Sequence, residues 1–411
     1  MLVAGTHTIA SGGVPEVVTQ EAQDRFHTGR VLTIVGAHAV HDTYTAFLPP
    51  LLPRFIELFS LSTAQAGLLS VFMQMPSLLQ PVIGHLADRY SLRALVIIAP
   101  AMAGLLMSLL GAAPGYAVLA FMLLLGGLVS AGLHAIGPVV VGRQSGRYLG
   151  RGMSLWMVGG ELGRTVGPLV IVSAVGALGL ANTRWLAVAG VLTSGLVYWR
   201  LRDLPPHVPL ATTASGAARP AVPVGQVLRS MGPFLLPLAA ILSARAMLSV
   251  SITTYLPTFL TEEGASLWLA GASLSILEGA GVMGALLGGS LSDRLGRRRV
   301  LVLAMTGAPL LLFGFLFAGG ELRVPVLVVM GFVALSITPV IMALVQESYP
   351  ENRALANGLY MALNFVIRSV AVIVLGVLAD RLGMRTAFML SGALALVGVP
   401  FIALLPRKRA A

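Results

Sequence analysis

The sequence predicts an all-α membrane protein: twelve transmembrane helices in two pseudo-symmetric six-helix bundles. Three observations carry that expectation. Of 411 residues, 56% are hydrophobic and only 10% charged, with a mean hydropathy of +0.88. Soluble domains carry about 25% charged residues, so this chain has too little polar surface to cover itself. Apolar runs of roughly 20 residues recur along it, each long enough to cross about 30 Å of hydrocarbon as a helix. Finally, the charged phrase "GHLADRYSLR" (Gly84–Arg93) returns as "GSLSDRLGRR" (Gly289–Arg298), once in each half. A strand barrel is disfavoured, because its segments are short and alternate apolar with polar.

The first half supplies runs at about 31–52, 64–87, 92–112, 115–141, 152–179 and 182–201. Run one interrupts its apolar pattern with His38, His41 and Asp42. Ionisable groups in hydrocarbon are costly and usually face a cavity. The i,i+4 spacing puts His38 and Asp42 on one helix face, close enough to share a proton or hydrogen bond. These residues, with His41, are the expected proton-coupling groups; the plainer alternative sets His41 against a neighbouring helix and Asp42 near the outer interface. Run two ends in Gly84, Asp88, Arg89 and, across the loop, Arg93. Run four carries His134, and run five carries Glu161 and Arg164 inside "GGELGRTVGP". At i,i+3 this pair has two readings. It is a structural ion pair, or Glu161 carries a proton whose release changes Arg164's availability to an anion.

Residues 202–231 form the expected linker, with "RDLPPHVPLATTASGAARPAVP" rich in Pro, Ala, Ser and Thr and lacking an apolar face. The second half supplies runs at about 232–260, 267–291, 299–318, 324–346, 355–379 and 384–405. Run seven holds Arg245 and run eight holds Glu278; the latter ends in Gly289 and Asp293, followed by Arg294 and Arg298. Run eleven holds Arg368, at the offset that Arg164 occupies in run five. Three arginines at membrane depth predict a cavity that takes a carboxylate or phosphonate, which guanidinium forks fit. Glu278, His134 and Tyr44 are expected there too, although ordinary helix packing also accounts for His134 and Tyr44. Paired repeats of this kind suit two bundles that rock about a site near the midplane.

Charge sets the orientation. Of 27 Lys and Arg, Arg54, Arg184, Arg323, Arg381 and Arg385 fall in loops after odd-numbered runs, and Arg164, Arg245 and Arg368 within runs. The rest sit in the termini and in loops after even-numbered runs. Positive loops stay cytoplasmic, so the tails 1–30 and 406–411 and the linker are expected inside, in a bacterial inner membrane. The net charge of +11 then reflects topology and anionic lipid heads. No nucleic-acid-reading module appears. The first thirty residues lack a basic region followed by a short apolar core, so they do not read as a cleavable signal. There is no cysteine, no nucleotide loop, no metal-spaced His/Cys cluster and no nucleophile motif. No enzyme, cofactor or metal is expected, and the chain is expected as a monomer.

The two charged phrases, at the same place in each half, resemble the loop signature of the major facilitator superfamily. Within it, "AHAVHDTYTAFLPPLLPRF" (37–55), "STAQAGLLSVF" (62–72), "LLQPVIGHLADR" (78–89) and "RGMSLWMVGGELGRTVGPLV" (151–170) are similar to the fosmidomycin-resistance branch of drug exporters. The chain departs from that branch at His134-Ala-Ile and at Glu161 and Arg164. The resemblance implies a secondary transporter working by alternating access on a small anionic or amphiphilic compound. Its glycines in run five are similar to the antiporter motif of exporters, which favours proton-driven efflux; proton-coupled import of an organic anion is the alternative. It also implies that Asp88 with Arg89 and Arg93, and Asp293 with Arg294 and Arg298, form two cytoplasmic latches, with Gly84 and Gly289 admitting close helix approach.

Overall fold

The computed structural model describes residues 25–80, 82–83, 86, 93–203, 224–349 and 353–405, and among them every regular element is helical. In order these are α1 (Thr28–Thr45), α2 (Leu48–Phe59), α3 (Thr63–Gln74), α4 (Arg93–Ser108), α5 (Tyr116–Gln144), α6 (Leu149–Leu178) and α7 (Ala187–Leu201). They are followed by α8 (Val224–Val250), α9 (Leu256–Glu262), α10 (Leu267–Leu295), α11 (Arg297–Phe317), α12 (Arg323–Leu335), α13 (Ile337–Ser348), α14 (Arg353–Leu382) and α15 (Met384–Val397). In hydrocarbon every backbone N–H and C=O must find its partner within the segment, which selects helices.

Among the described residues, nine helical stretches are long and apolar enough to cross a membrane. The expected runs 31–52, 64–87 and 182–201 are not among them; each holds a break or an irregular turn, and residues 81, 84–85 and 87 of the second lie outside the described residues. The first breaks between α1 and α2, where a proline enters the opening turn of α2 and supplies no N–H. The second passes into a 3₁₀ segment, Met75–Leu79, around Pro76. The third begins as a 3₁₀ segment, Leu180–Leu186, before α7. A π-helical turn, Ser251–Tyr255, joins α8 to α9 just ahead of Pro257. Helix α8 starts at Val224, inside the stretch expected as linker.

Large apolar side chains point outward in quantity, including Leu236, Phe317 and Leu192. In water such a surface would aggregate; facing acyl chains it costs nothing. Inside, the buried apolar residues form four clusters, and each draws its buried members from a single half of the chain: two from residues 31–201 and two from 231–405. Between the halves, α3 packs on α14, α6 on α10 and α2 on α9.

Candidate functional site

The glycines of run five explain how the site is built. Helix α6 lies directly on α1. A methyl group on Gly159 would stand 2.8 Å from the Val35 carbonyl oxygen, and on Gly163 2.3 Å from that of Ala39. On Gly167 it would stand 2.4 Å from the Thr43 oxygen. These residues therefore let two backbones touch. At Gly160 the same hypothetical methyl meets the site itself, 2.6 Å from His38 Cε1 and 3.0 Å from Asp42 Oδ2.

At that contact His38, His41 and Asp42 are all buried. His38 Nε2 lies 3.3 Å from Asp42 Oδ2, as the i,i+4 spacing requires. His134, arriving on α5, places Nε2 3.7 Å from Asp42 Oδ1 and 3.2 Å from His38 Nε2. The histidine tautomers follow from what the opposite ring nitrogens touch. His38 Nδ1 is 3.0 Å from the Trp156 carbonyl oxygen, and His134 Nδ1 is 2.9 Å from that of Ser130. A carbonyl only accepts, so each Nδ1 carries the hydrogen and each neutral ring turns a bare Nε2 lone pair inward. Three acceptor groups then face one another, and one positive charge among them relieves the repulsion. The His38 ring is held flat by stacking on Trp156, 3.6 Å between centroids. His41 turns away, its Nδ1 3.4 Å from the Ala99 carbonyl oxygen.

Beside this cluster lies a cavity of about 220 Å³ lined by both halves, with Thr45, Ser70, Gln74 and Arg164 on one side and Thr253, Thr254, Glu278 and Arg368 on the other. Arg164 pairs with Glu161 on its own helix and stands within electrostatic range of Asp42 and Glu278. Arg368 donates to the hydroxyls of Thr253 at 3.0 Å, Thr254 at 3.3 Å and Ser249 at 3.4 Å. The two cavity arginines thus line one space from opposite halves, with Glu278 in electrostatic range of both.

Arg245 and Tyr44, expected in the same cavity, are placed elsewhere. Arg245 is buried beside a separate small void with Leu248, Ile252 and Met305. Tyr44 is buried and donates to the Leu186 carbonyl oxygen at 2.5 Å, a helix-packing role.

Of the gate residues, Gly84, Asp88 and Arg89 lie outside the described residues, and Arg93 opens α4. In the second half Asp293 pairs with Arg297 at 2.5 Å rather than resting on the expected Arg294 and Arg298. Arg297 in turn reaches Glu347 at 2.9 Å, so this clasp joins α10, α11 and α13 within one half. Gly289 has nothing within 4 Å of where a methyl would sit. The tight approach on α10 falls instead at Gly284 and Gly288, against Phe332 and Ser336.

Among the described residues, hydrogen bonds between the halves lie at the opposite end. Asp380 accepts from the backbone N–H of Thr63 at 2.6 Å and of Ala64 at 3.1 Å, capping α3 from α14. Tyr255 donates to the carbonyl oxygens of Thr63 at 3.2 Å and Val372 at 3.0 Å. Trp268 donates to Ser173. At the same end Glu263 binds Arg323 and Arg385, each at 2.6 Å. Partial burial alone raises the Glu263 carboxyl; the two guanidinium groups outweigh it and hold it below its ordinary range.

Comparison with known proteins agrees with this architecture. The family described as Major Facilitator Superfamily matches residues 34–371 and 324–411. The fosmidomycin resistance protein of Escherichia coli (strain K12) is 24% identical over 380 residues, covering 89% of this chain and 91% of that one. Among solved structures, a D-xylose–proton symporter superposes with a TM-score of 0.74 at 15% identity, over 93% of this chain and 98% of that chain. A bacterial homolog of the human lysosomal transporter Spinster, inward-facing and unoccupied, gives 0.73 at 14% identity, over 92% and 96%.

Proposed function

The chain belongs to the major facilitator superfamily, a family of multi-pass membrane transporters and not of enzymes, and on that premise we propose that it is a proton-driven exporter of small anionic compounds. Twelve helices in two six-helix bundles rock about the shared cavity, with both termini cytoplasmic, in the bacterial inner membrane. The segregation of the apolar clusters by half supports the two bundles, and three further apolar runs beside the nine spans support the count of twelve.

One observation carries the coupling: the buried convergence of Asp42, His38 and His134 beside the arginine-lined cavity. A proton taken up there supplies the positive charge the three acceptors lack. Its departure leaves the Asp42 carboxylate without that counter-charge, free to compete with a bound anion for the Arg164 guanidinium. Proton and anion are thereby coupled through one set of charges, and the outward direction rests on the likeness to a resistance protein. Glu161 acts in the same relay by holding Arg164 when the cavity is empty. Arg368, with its row of hydroxyls, is the second anion ligand.

The hydrogen bonds between halves at Thr63, Ala64, Tyr255 and Asp380 support a state closed outside. We assign Asp293, Arg297 and Glu347 to the second cytoplasmic latch, with Asp88, Arg89 and Arg93 as its expected counterpart. Likeness to a resistance protein supports the outward direction and makes fosmidomycin the first probe. In reconstituted vesicles with an imposed pH gradient, an acidic interior should drive accumulation of the probe. Accumulation driven by an alkaline interior would establish import by symport, and absence of gradient-dependent flux across a panel of organic anions would overturn proton coupling.

A further inference from the structure

We propose that His38, Asp42 and His134 also form a binding site for a divalent first-row transition cation such as Zn²⁺. The ligand set is two imidazole nitrogens and a carboxylate, with all donor atoms within 4.8 Å of one another. A metal about 2.0–2.1 Å from tetrahedrally arranged N and O ligands spaces those ligands roughly 3.3–3.4 Å apart. Here the separations are 3.2 Å between the two Nε2 atoms, 3.3 Å from His38 to one carboxylate oxygen and 3.7 Å from His134 to the other. The two nitrogens already stand at that spacing, and the carboxylate lies within 4.8 Å of both.

Three further observations point to a ligand and not merely to packing. Asp42 Oδ1 is buried without a hydrogen-bond partner, although a buried carboxylate oxygen normally finds one. Each imidazole is held from behind by a backbone carbonyl, Trp156 for His38 and Ser130 for His134. This is the outer support that fixes metal-binding histidines with the free nitrogen toward the ion. His134 keeps about a third of its side chain exposed, leaving a face through which an ion enters and a water completes the coordination. Two nitrogens and one carboxylate select zinc, cobalt or nickel over magnesium and calcium, which favour all-oxygen sites. The sequence hides the cluster because His134 lies far along the chain from the His38–Asp42 pair.

The inference concerns binding at equilibrium and stands apart from the transport reading. The test is Zn²⁺ titration of the purified full chain in detergent, without any gradient, followed by calorimetry. One equivalent should bind per chain. Affinity should fall at least about 10-fold in His134→Ala and in Asp42→Asn, and stay unchanged in His27→Ala. X-ray absorption at the zinc edge of the wild-type complex, which needs no variant to fold, should show two imidazoles. Absence of saturable binding at millimolar Zn²⁺, undiminished binding in a His38→Ala/His134→Ala double variant, or a spectrum without two imidazoles would overturn the site. Proton-driven flux that persists in a protein without such binding would leave the transport reading intact.

Discussion

Replacing Asp380 by asparagine should loosen the outer seam between the halves. The carboxylate accepts two backbone N–H groups, from Thr63 at 2.6 Å and Ala64 at 3.1 Å, which are among the donors a helix start leaves unpaired. Asparagine keeps one acceptor oxygen and turns an NH₂ toward the other N–H, so one bond and the charge are lost together. A hydrogen bond to a charged group contributes about 1.5–3 kcal/mol and a charge at a helix N-terminus about 0.3–1 kcal/mol. Asp380 is exposed, so solvent screening favours the low end, about 1.5 kcal/mol in total. If the contact exists only while the outside is closed, that energy moves the equilibrium about tenfold toward outer opening. The chain has no cysteine, so a single Ser70→Cys, buried on the cavity wall, reports access directly. Its modification by an impermeant thiol reagent added outside should be about tenfold faster in Asp380→Asn. An unchanged rate in a folded protein would refute the idea that this cap holds the outer side shut.

Other consequences follow from the same contacts. Gly163→Ala forces a methyl against the Ala39 carbonyl and should cost about 1–3 kcal/mol, lowering the melting midpoint well below that of Gly176→Ala on the same helix, where space is open; equal midpoints would show that the α1–α6 contact is loose. The Glu263 carboxyl is held below its ordinary 4.5, so its contribution is complete above that pH and fades as pH falls through the lower folded value. Melting midpoints should therefore decline on acidification below 4.5, and less steeply in Glu263→Gln; identical slopes would remove Arg323 and Arg385 as its partners in solution. Arg368→Gln should raise the KM for the transported anion about tenfold or more, with a smaller effect on any neutral compound carried; an unaltered KM would take Arg368 out of the binding site.

The helices were legible because hydrocarbon imposes one rule on long stretches, and nine expected runs are long and apolar enough to span. The breaks were harder: a proline in the first turn of α2 and Pro76 act on one or two residues inside a still apolar stretch. His38 and Asp42 shared a face by spacing alone. That His134 completes their cluster depends on the crossing of α5 with α1, which no local pattern records. The run-five glycines stand out in sequence as a motif, while their work is geometric: Gly159, Gly163 and Gly167 each admit a backbone carbonyl of α1. Asp293 was singled out, but its partner Arg297 stands among four basic residues at 294 and 297–299 whose order gives no hint of which reaches back. Asp380 was invisible because its partners are backbone N–H groups in the other half, and backbone leaves no mark on residue choice. Arg245 read as a cavity residue from its depth, since depth in the membrane is encoded and direction around a helix packed on all sides is not.

The most direct test of the coupling is Asp42→Asn in proteoliposomes, comparing accumulation driven by a pH gradient with counterflow exchange at equal pH on both sides. Coupling through Asp42 predicts that accumulation collapses while exchange continues at near wild-type rate. Loss of both in equal measure, or retention of gradient-driven accumulation, would contradict it.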